Sequence, residues 1–174
     1  MAGRSRDAVL FVLLGLIWGS VYLAIKVGGE GLAPFTFVAV RLAIGAVFLV
    51  MLLRLRGDRL PPRAVLGHVG VVGLTGVAIP FTLTTWGQHG ADAGLASIFN
   101  AATPLFTVVL AGLVLSDEPL RAGRLAGILV GFAGIIAVVG GGVEGGGSPA
   151  SIVAMLLSVS SYAVTAVYTR RFLR

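Results

Sequence analysis

Residues 8–53 read AVLFVLLGLIWGSVYLAIKVGGEGLAPFTFVAVRLAIGAVFLVMLL. Two apolar runs, Ala8–Ile25 and Phe35–Leu53, flank a short glycine-containing turn. Each is close to the roughly 20 residues that an α-helix needs to cross a bilayer. The stretch predicts two successive membrane-spanning helices.

Four more runs of the same kind follow, at about Ala64–Trp86, Gly94–Leu115, Leu125–Val139 and Ser151–Tyr168. Mean hydropathy is +1.01. Hydrophobic residues make up 57% of the chain and charged residues 11%, too few polar groups to cover a soluble domain. No long polar stretch offers a second domain. The expected fold is an all-α, polytopic membrane protein with six transmembrane helices. Arg4 and Arg6 ahead of the first run raise the alternative of a signal peptide. The apolar stretch exceeds a signal core of about 7–15 residues, contains Trp18 and lacks a clear small-x-small cleavage site, so it reads as a retained helix. The chain has no cysteine, which removes disulfides, thiol nucleophiles and cysteine metal sites.

The formal charge is +6, but the basic residues stand in short clusters between apolar runs and form no nucleic-acid-binding face. Arg4 and Arg6, then Arg54, Arg56, Arg59 and Arg63, then Arg121 and Arg124, then Arg170, Arg171 and Arg174 all fall on one side if six helices alternate. The other side receives only Lys26. By the positive-inside rule the protein is a multi-pass protein of the cell membrane with both termini cytoplasmic. The connections are short, so neighbouring helices are expected to be antiparallel and packed. The segment Gly140–Pro149, rich in glycine and carrying Glu144, reads as a flexible outer hinge.

Several polar residues fall inside or at the ends of these runs. Trp18-Gly19-Ser20 interrupts the first, where Trp18 lines a cavity or simply packs. Lys26 ends that helix and is able to snorkel. Arg41 lies seven residues beyond Pro34, about 10 Å into the membrane at 1.5 Å per residue. A cation at that depth tends to face a bundle interior or water. It either attracts an anionic group or locks helices one and two through carbonyls or Glu30. Pro80 and Pro104 break the third and fourth runs and free backbone carbonyls. Near them stand Asn100 and Thr103, and Thr82, Thr84, Thr85, Trp86 and Gln88, each fit to hydrogen-bond a solute or to hold helices together. Trp86 reads as an interface anchor. Gly123, Gly127, Gly131 and Gly134 form a small-residue packing strip. Asp117 and Glu118 before Pro119 suit a helix start.

No catalytic constellation, metal site or cofactor motif is present. His68 and His89 stand near opposite ends of one run, and the glycines form no phosphate loop.

Two segments resemble one family. Residues 16–49, LIWGSVYLAIKVGGEGLAPFTFVAVRLAIGAVFL, are similar to the opening of an EamA-type repeat of the drug/metabolite transporter superfamily, through Trp18-Gly19-Ser20, Lys26, Pro34 and Arg41. Residues 96–135, ASIFNAATPLFTVVLAGLVLSDEPLRAGRLAGILVGFAGI, are similar to the end of that repeat, through Pro104, Glu118, Gly127 and Gly134. The resemblance implies a ten-helix transporter of two inverted repeats, of which this chain is the N-terminal half. Residues 1–140 are then the first repeat of five helices, 141–150 the glycine-rich connection, and 151–174 the sixth helix, the start of a truncated second repeat. Trp18 precedes Lys26 by eight residues and Tyr162 precedes Arg170 by eight, on oppositely directed helices, as inverted repeats require.

The resemblance implies a secondary transporter, not an enzyme, exporting small metabolites or amino acids by alternating access. Trp18, Ser20, Arg41, Asn100 and Thr103 are expected near the solute path and Lys26 and Gln88 at its outer mouth. Its partners are a small-molecule solute, the lipid bilayer, and a missing second half or a second copy; no nucleic acid is expected. Two other readings stand: a non-transporting scaffold or assembly subunit, and a small multidrug-resistance-like dimer. The second fits less well, because no Glu lies inside a span.

Overall fold

The computed structural model describes residues 2–58, 60–115, 122–140 and 147–173; of residues 2–5 and 138–140 it describes the backbone alone. The described residues are helical, with no strand among them. Helix α1 spans Ala2–Gly28 and α2 Pro34–Leu55. A 3₁₀ turn at Arg63–Val65 leads into α3, Leu66–Gly73, a π-helical turn at Leu74–Ala78, and α4, Ile79–Gly87. Then follow α5, Ala93–Ala101, and α6, Thr103–Val114. Helix α7 covers Ala122–Gly140 and α8 Pro149–Phe172.

Among the described residues, five stretches are long and apolar enough to cross a membrane: Arg6–Gly28, Pro34–Leu55, Arg63–Gly87, Ala93–Val114 and Pro149–Phe172. The fifth apolar run of the sequence is helical as well, but its apolar stretch, Ala122–Ala137, is shorter than the others. The expected helix start at Asp117, Glu118 and Pro119, the hinge residues 141–146 with Glu144, and Arg59, Arg121 and Arg174 lie outside the described residues.

Proline and glycine set several boundaries. Pro34 and Pro149 open α2 and α8, where the missing N–H costs nothing. Ser148 caps α8 by accepting the Ser151 N–H at 3.2 Å, satisfying a first-turn donor. Gly31 turns the chain between α1 and α2 with φ of 78°, a left-handed conformation that glycine adopts without strain.

The two internal prolines each leave a carbonyl without its usual helical donor, and in each region a side chain supplies one. Before Pro104 the orphan is Asn100 O, and the Thr103 hydroxyl donates to it at 2.7 Å. Before Pro80 the helix widens instead. The Ile79 N–H bonds Leu74 O, one residue further back than in an α-helix. That releases Thr75 O, which accepts the Ser161 hydroxyl of α8 at 2.6 Å.

This is the centre of a polar seam between the third span and α8. Ser158 Oγ donates to Pro80 O at 3.0 Å and meets Thr84 Oγ1 at 2.8 Å. Because the Ser158 proton goes to the carbonyl, Thr84 donates to Ser158. Thr165 Oγ1 donates to Thr75 Oγ1 at 2.7 Å. The backbones come close: a Cβ on Gly76 would sit 2.8 Å from Thr165 Cγ2. In lipid there is no hydrophobic drive between helices, so close packing and interhelical hydrogen bonds carry association.

Helix α8 is the most buried element. Ser151, Ala154, Met155, Ser158, Val159, Ala163 and Val167 face inward at helical spacing. Met155 and Val159 join Ala91, Leu95, Ala96, Phe99 and Ala102 of the fourth span and the turn before it in the apolar core. Helices α1 and α2 keep most of their large apolar side chains on the surface. The α7 glycine strip packs at one point: a Cβ on Gly131 would meet Leu105 at 2.7 Å, while Gly123, Gly127 and Gly134 have open space beside them. The expectation of a continuous strip is thus corrected. Phe132 supports the contact edge-on to Phe106, centroids 5.4 Å apart.

Ser161→Ala removes the donor to the freed Thr75 carbonyl. It should cost about 1 kcal/mol, within the ~0.6–1.7 range of interhelical hydrogen bonds in membranes. Ser160→Ala, whose hydroxyl serves Leu156 O of its own helix, should leave the unfolding midpoint in detergent unchanged.

Candidate functional site

Two cavities line α1, one beyond the other. The larger, ≈ 230 Å³, lies between α1, α2, α4 and α8. Helix α1 contributes Trp18, Val21, Tyr22 and Ile25, spaced i, i+3, i+4, i+7 on one face. Helix α2 contributes Arg41, α4 Phe81 and Thr84, and α8 Tyr162. The Arg41 guanidinium carbon stands 4.4 Å from the centroid of the Phe81 ring, inside cation–π range. Arg41 therefore stacks on an aromatic face. Of the two structural partners considered for it, Glu30 lies instead on the other cavity. The Thr84 hydroxyl is held by Ser158. An aromatic wall beside a guanidinium with five N–H donors suits an amphipathic solute with an anionic group.

The smaller cavity, ≈ 180 Å³, lies where α1 ends against the turn after α4, and its lining includes Lys26, Glu30, Thr85, Gln88 and His89. Ile25 borders both cavities. Lys26 Nζ donates to Gln88 O at 2.7 Å and to Ala91 O at 3.2 Å. The ammonium thus ties the end of α1 to the 88–91 turn. Ser148 N–H bonds Gly90 O at 3.0 Å, so the same turn is anchored to the start of α8. His89 Nδ1 donates to Thr85 O at 3.0 Å. His68 is at the other end of the third span, where its Nδ1 meets the Tyr168 hydroxyl at 2.7 Å and its ring stacks on Phe172. Among the described residues no three His, Cys, Asp or Glu side chains group to hold a metal ion.

The residues singled out from the sequence therefore separate. Trp18 and Arg41 share the larger cavity, and Lys26 and Gln88 share the smaller. Ser20, Asn100 and Thr103 line neither. The Ser20 hydroxyl is exposed and bonds Ile17 O at 2.9 Å; Thr103 is spent on Asn100 O. Tyr22 and Phe81 were not singled out. Tyr22 was within reach, four residues beyond Trp18 on the same helical face; Phe81 becomes a partner of Arg41 only through the packing of α2 on α4.

Residues 6–140 match the model of the EamA-like transporter family. The chain belongs to that family. It is 33% identical over 163 residues to the uncharacterized inner membrane transporter YedA of Escherichia coli K12, covering 93% of this chain and 52% of that protein. It is 33% identical over 139 residues to a probable terminal-alkyne amino-acid exporter of Streptantibioticus cattleyicolor, covering 79% and 46%. A probable amino-acid metabolite efflux pump of Escherichia coli K12 is 28% identical over 143 residues, covering 80% and 45%. The chain spans about half the length of the curated relatives it matches. No solved structure matches it. The relatives are named as transporters and exporters, and this chain is a multi-pass membrane protein of the same family.

The Arg41–Phe81 contact is measurable in this EamA-like chain. In a double-mutant cycle, Phe81→Leu and Arg41→Met should couple by about 0.5–2 kcal/mol in unfolding free energy. Additive effects would remove the stacking from the account.

Proposed function

We propose that the protein is a secondary transporter that exports small metabolites or amino acids across the cytoplasmic membrane by alternating access. The observation that carries the reading is the cavity lined by Trp18, Tyr22, Arg41, Phe81 and Tyr162, within which the Arg41 guanidinium stands over the Phe81 ring. A cation inside a span is costly unless it faces a cavity or a partner, and here it has both. The names of the two exporter relatives support amino-acid-like solutes.

In this reading the solute's anionic group sits at Arg41 and its apolar body lies against Trp18 and Tyr162. Residues 1–140 form the first repeat and α8 opens the second. Support comes from Trp18 and Tyr162, at matching positions of α1 and α8, lining one cavity. The basic residues at the Arg63 end support cytoplasmic termini. The reading counts six spans, α7 included, within a ten-helix whole; what supports it is that the chain covers 52% of the YedA relative. A second unit, from further chain or a second copy, completes the path wall.

In proteoliposomes, flux of labelled amino acids and small metabolites should saturate with concentration. Arg41→Ala and Trp18→Ala should each cut the rate at least tenfold with helical circular dichroism unchanged. Flux equal to protein-free vesicles across the panel would favour the rival reading, a scaffold or assembly subunit.

A further inference from the structure

The smaller cavity holds groups that neither the packing nor the proposed path employs. Gln88 is 2% exposed and Thr85 1%. The Gln88 carboxamide, both Oε1 and Nε2, and the Thr85 hydroxyl have no hydrogen-bond partner. Buried polar atoms are nearly always paired, and a cluster of exceptions in one place calls for a reason. Both residues border one ≈ 180 Å³ cavity. The neighbouring Lys26 ammonium has three donors, and two of them go to Gln88 O and Ala91 O. Glu30 stands exposed on the same lining.

The complement of this set is specific. The Lys26 N–H of α1, the Thr85 O–H of α4 and the Gln88 NH₂ just after α4 are donors on residues that border one cavity, which is what a carboxylate accepts from. Gln88 Oε1 and the Glu30 carboxylate are acceptors, which is what an ammonium needs. One fixed cation and one fixed anion leave the cavity neutral, so a simple anion meets the Glu30 charge as well as that of Lys26. A molecule carrying both charges matches both. We infer that the cavity at the Lys26 end is a second solute site, separate from the Trp18–Arg41 cavity, which binds the head of a small zwitterionic carboxylate with Lys26, Thr85 and Gln88 on the carboxylate and Glu30 on the ammonium. Ile25 stands between this site and the larger cavity.

The test is equilibrium binding of labelled glycine, acetate and methylammonium to the 174-residue chain in lipid nanodiscs. Binding at equilibrium needs no translocation, so its outcome is independent of the flux assay. Glycine should bind saturably, at least fivefold more tightly than acetate and methylammonium. Gln88→Leu and Thr85→Val should each weaken glycine at least tenfold. Both replace an unpartnered polar group by an apolar one of similar size, so the unfolding midpoint should hold or rise. Glu30→Gln, at an exposed position, should bring glycine and acetate within twofold of each other. Glycine binding unchanged in both Gln88→Leu and Thr85→Val overturns the site. Acetate binding as tightly as glycine to the unsubstituted chain overturns the zwitterion assignment. If Gln88→Leu fails to fold, Thr85→Val and Glu30→Gln decide by the same criteria.

Discussion

The structure depends on the hydrogen-bonded seam between the third span and α8. Its origin is local: Pro80 has no N–H, and the helix before it widens into a π turn. Widening shifts the Ile79 bond back to Leu74 O and leaves Thr75 O facing the neighbouring helix. In hydrocarbon an unpaired carbonyl costs several kcal/mol, so the freed group demands a donor. Ser161 is that donor, and Ser158 and Thr165 extend the contact in both directions. What would be a defect in an isolated helix becomes the specific contact that places α8 in the middle of the bundle.

The position of α8 in turn decides what the other helices surround. Met155 and Val159 pack on the fourth span and Ser158 and Ser161 bond the third; Tyr162 falls between those two sides of α8 and lines the larger cavity with α1. The larger cavity exists because α1 and α2 meet α8 and α4 there without filling the space. Arg41 is tolerable at that depth because an aromatic face and a cavity take the place of water. At the Lys26 end the chain uses a different device. One ammonium accepts no bonds but donates to two carbonyls of the 88–91 turn, while Ser148 bonds the same turn from α8. That turn is the joint at which α1, α4, α5 and α8 are registered.

The same residue types thus serve two purposes, and their partners tell them apart. Ser20, Ser97, Ser160 and Thr103 spend their hydroxyls on carbonyls of their own or an adjoining helical segment. Ser158, Ser161 and Thr165 reach another helix. Gln88 and Thr85 do neither, and they are the polar side chains that a solute would find unengaged.

Much of this was legible in the residues. Apolar runs of about 20 residues dictate spanning helices because no other local conformation satisfies the backbone in lipid. Proline and glycine at their edges dictate where helices begin and turn. The marks Trp18-Gly19-Ser20, Lys26 and Arg41 pointed to the family, and the helical spacing of Trp18 implied a face that includes Tyr22. What the residues alone did not determine is which polar groups find each other. A serine in a span has the same local options whether its hydroxyl turns back to its own helix or across to a neighbour. The choice between Glu30 and Phe81 for Arg41, the loss of Ser20 and Thr103 to local bonds, and the division of one expected path into two cavities were all set by helix–helix packing. These are contacts between residues dozens of positions apart, and no periodicity within a single helix encodes its partner.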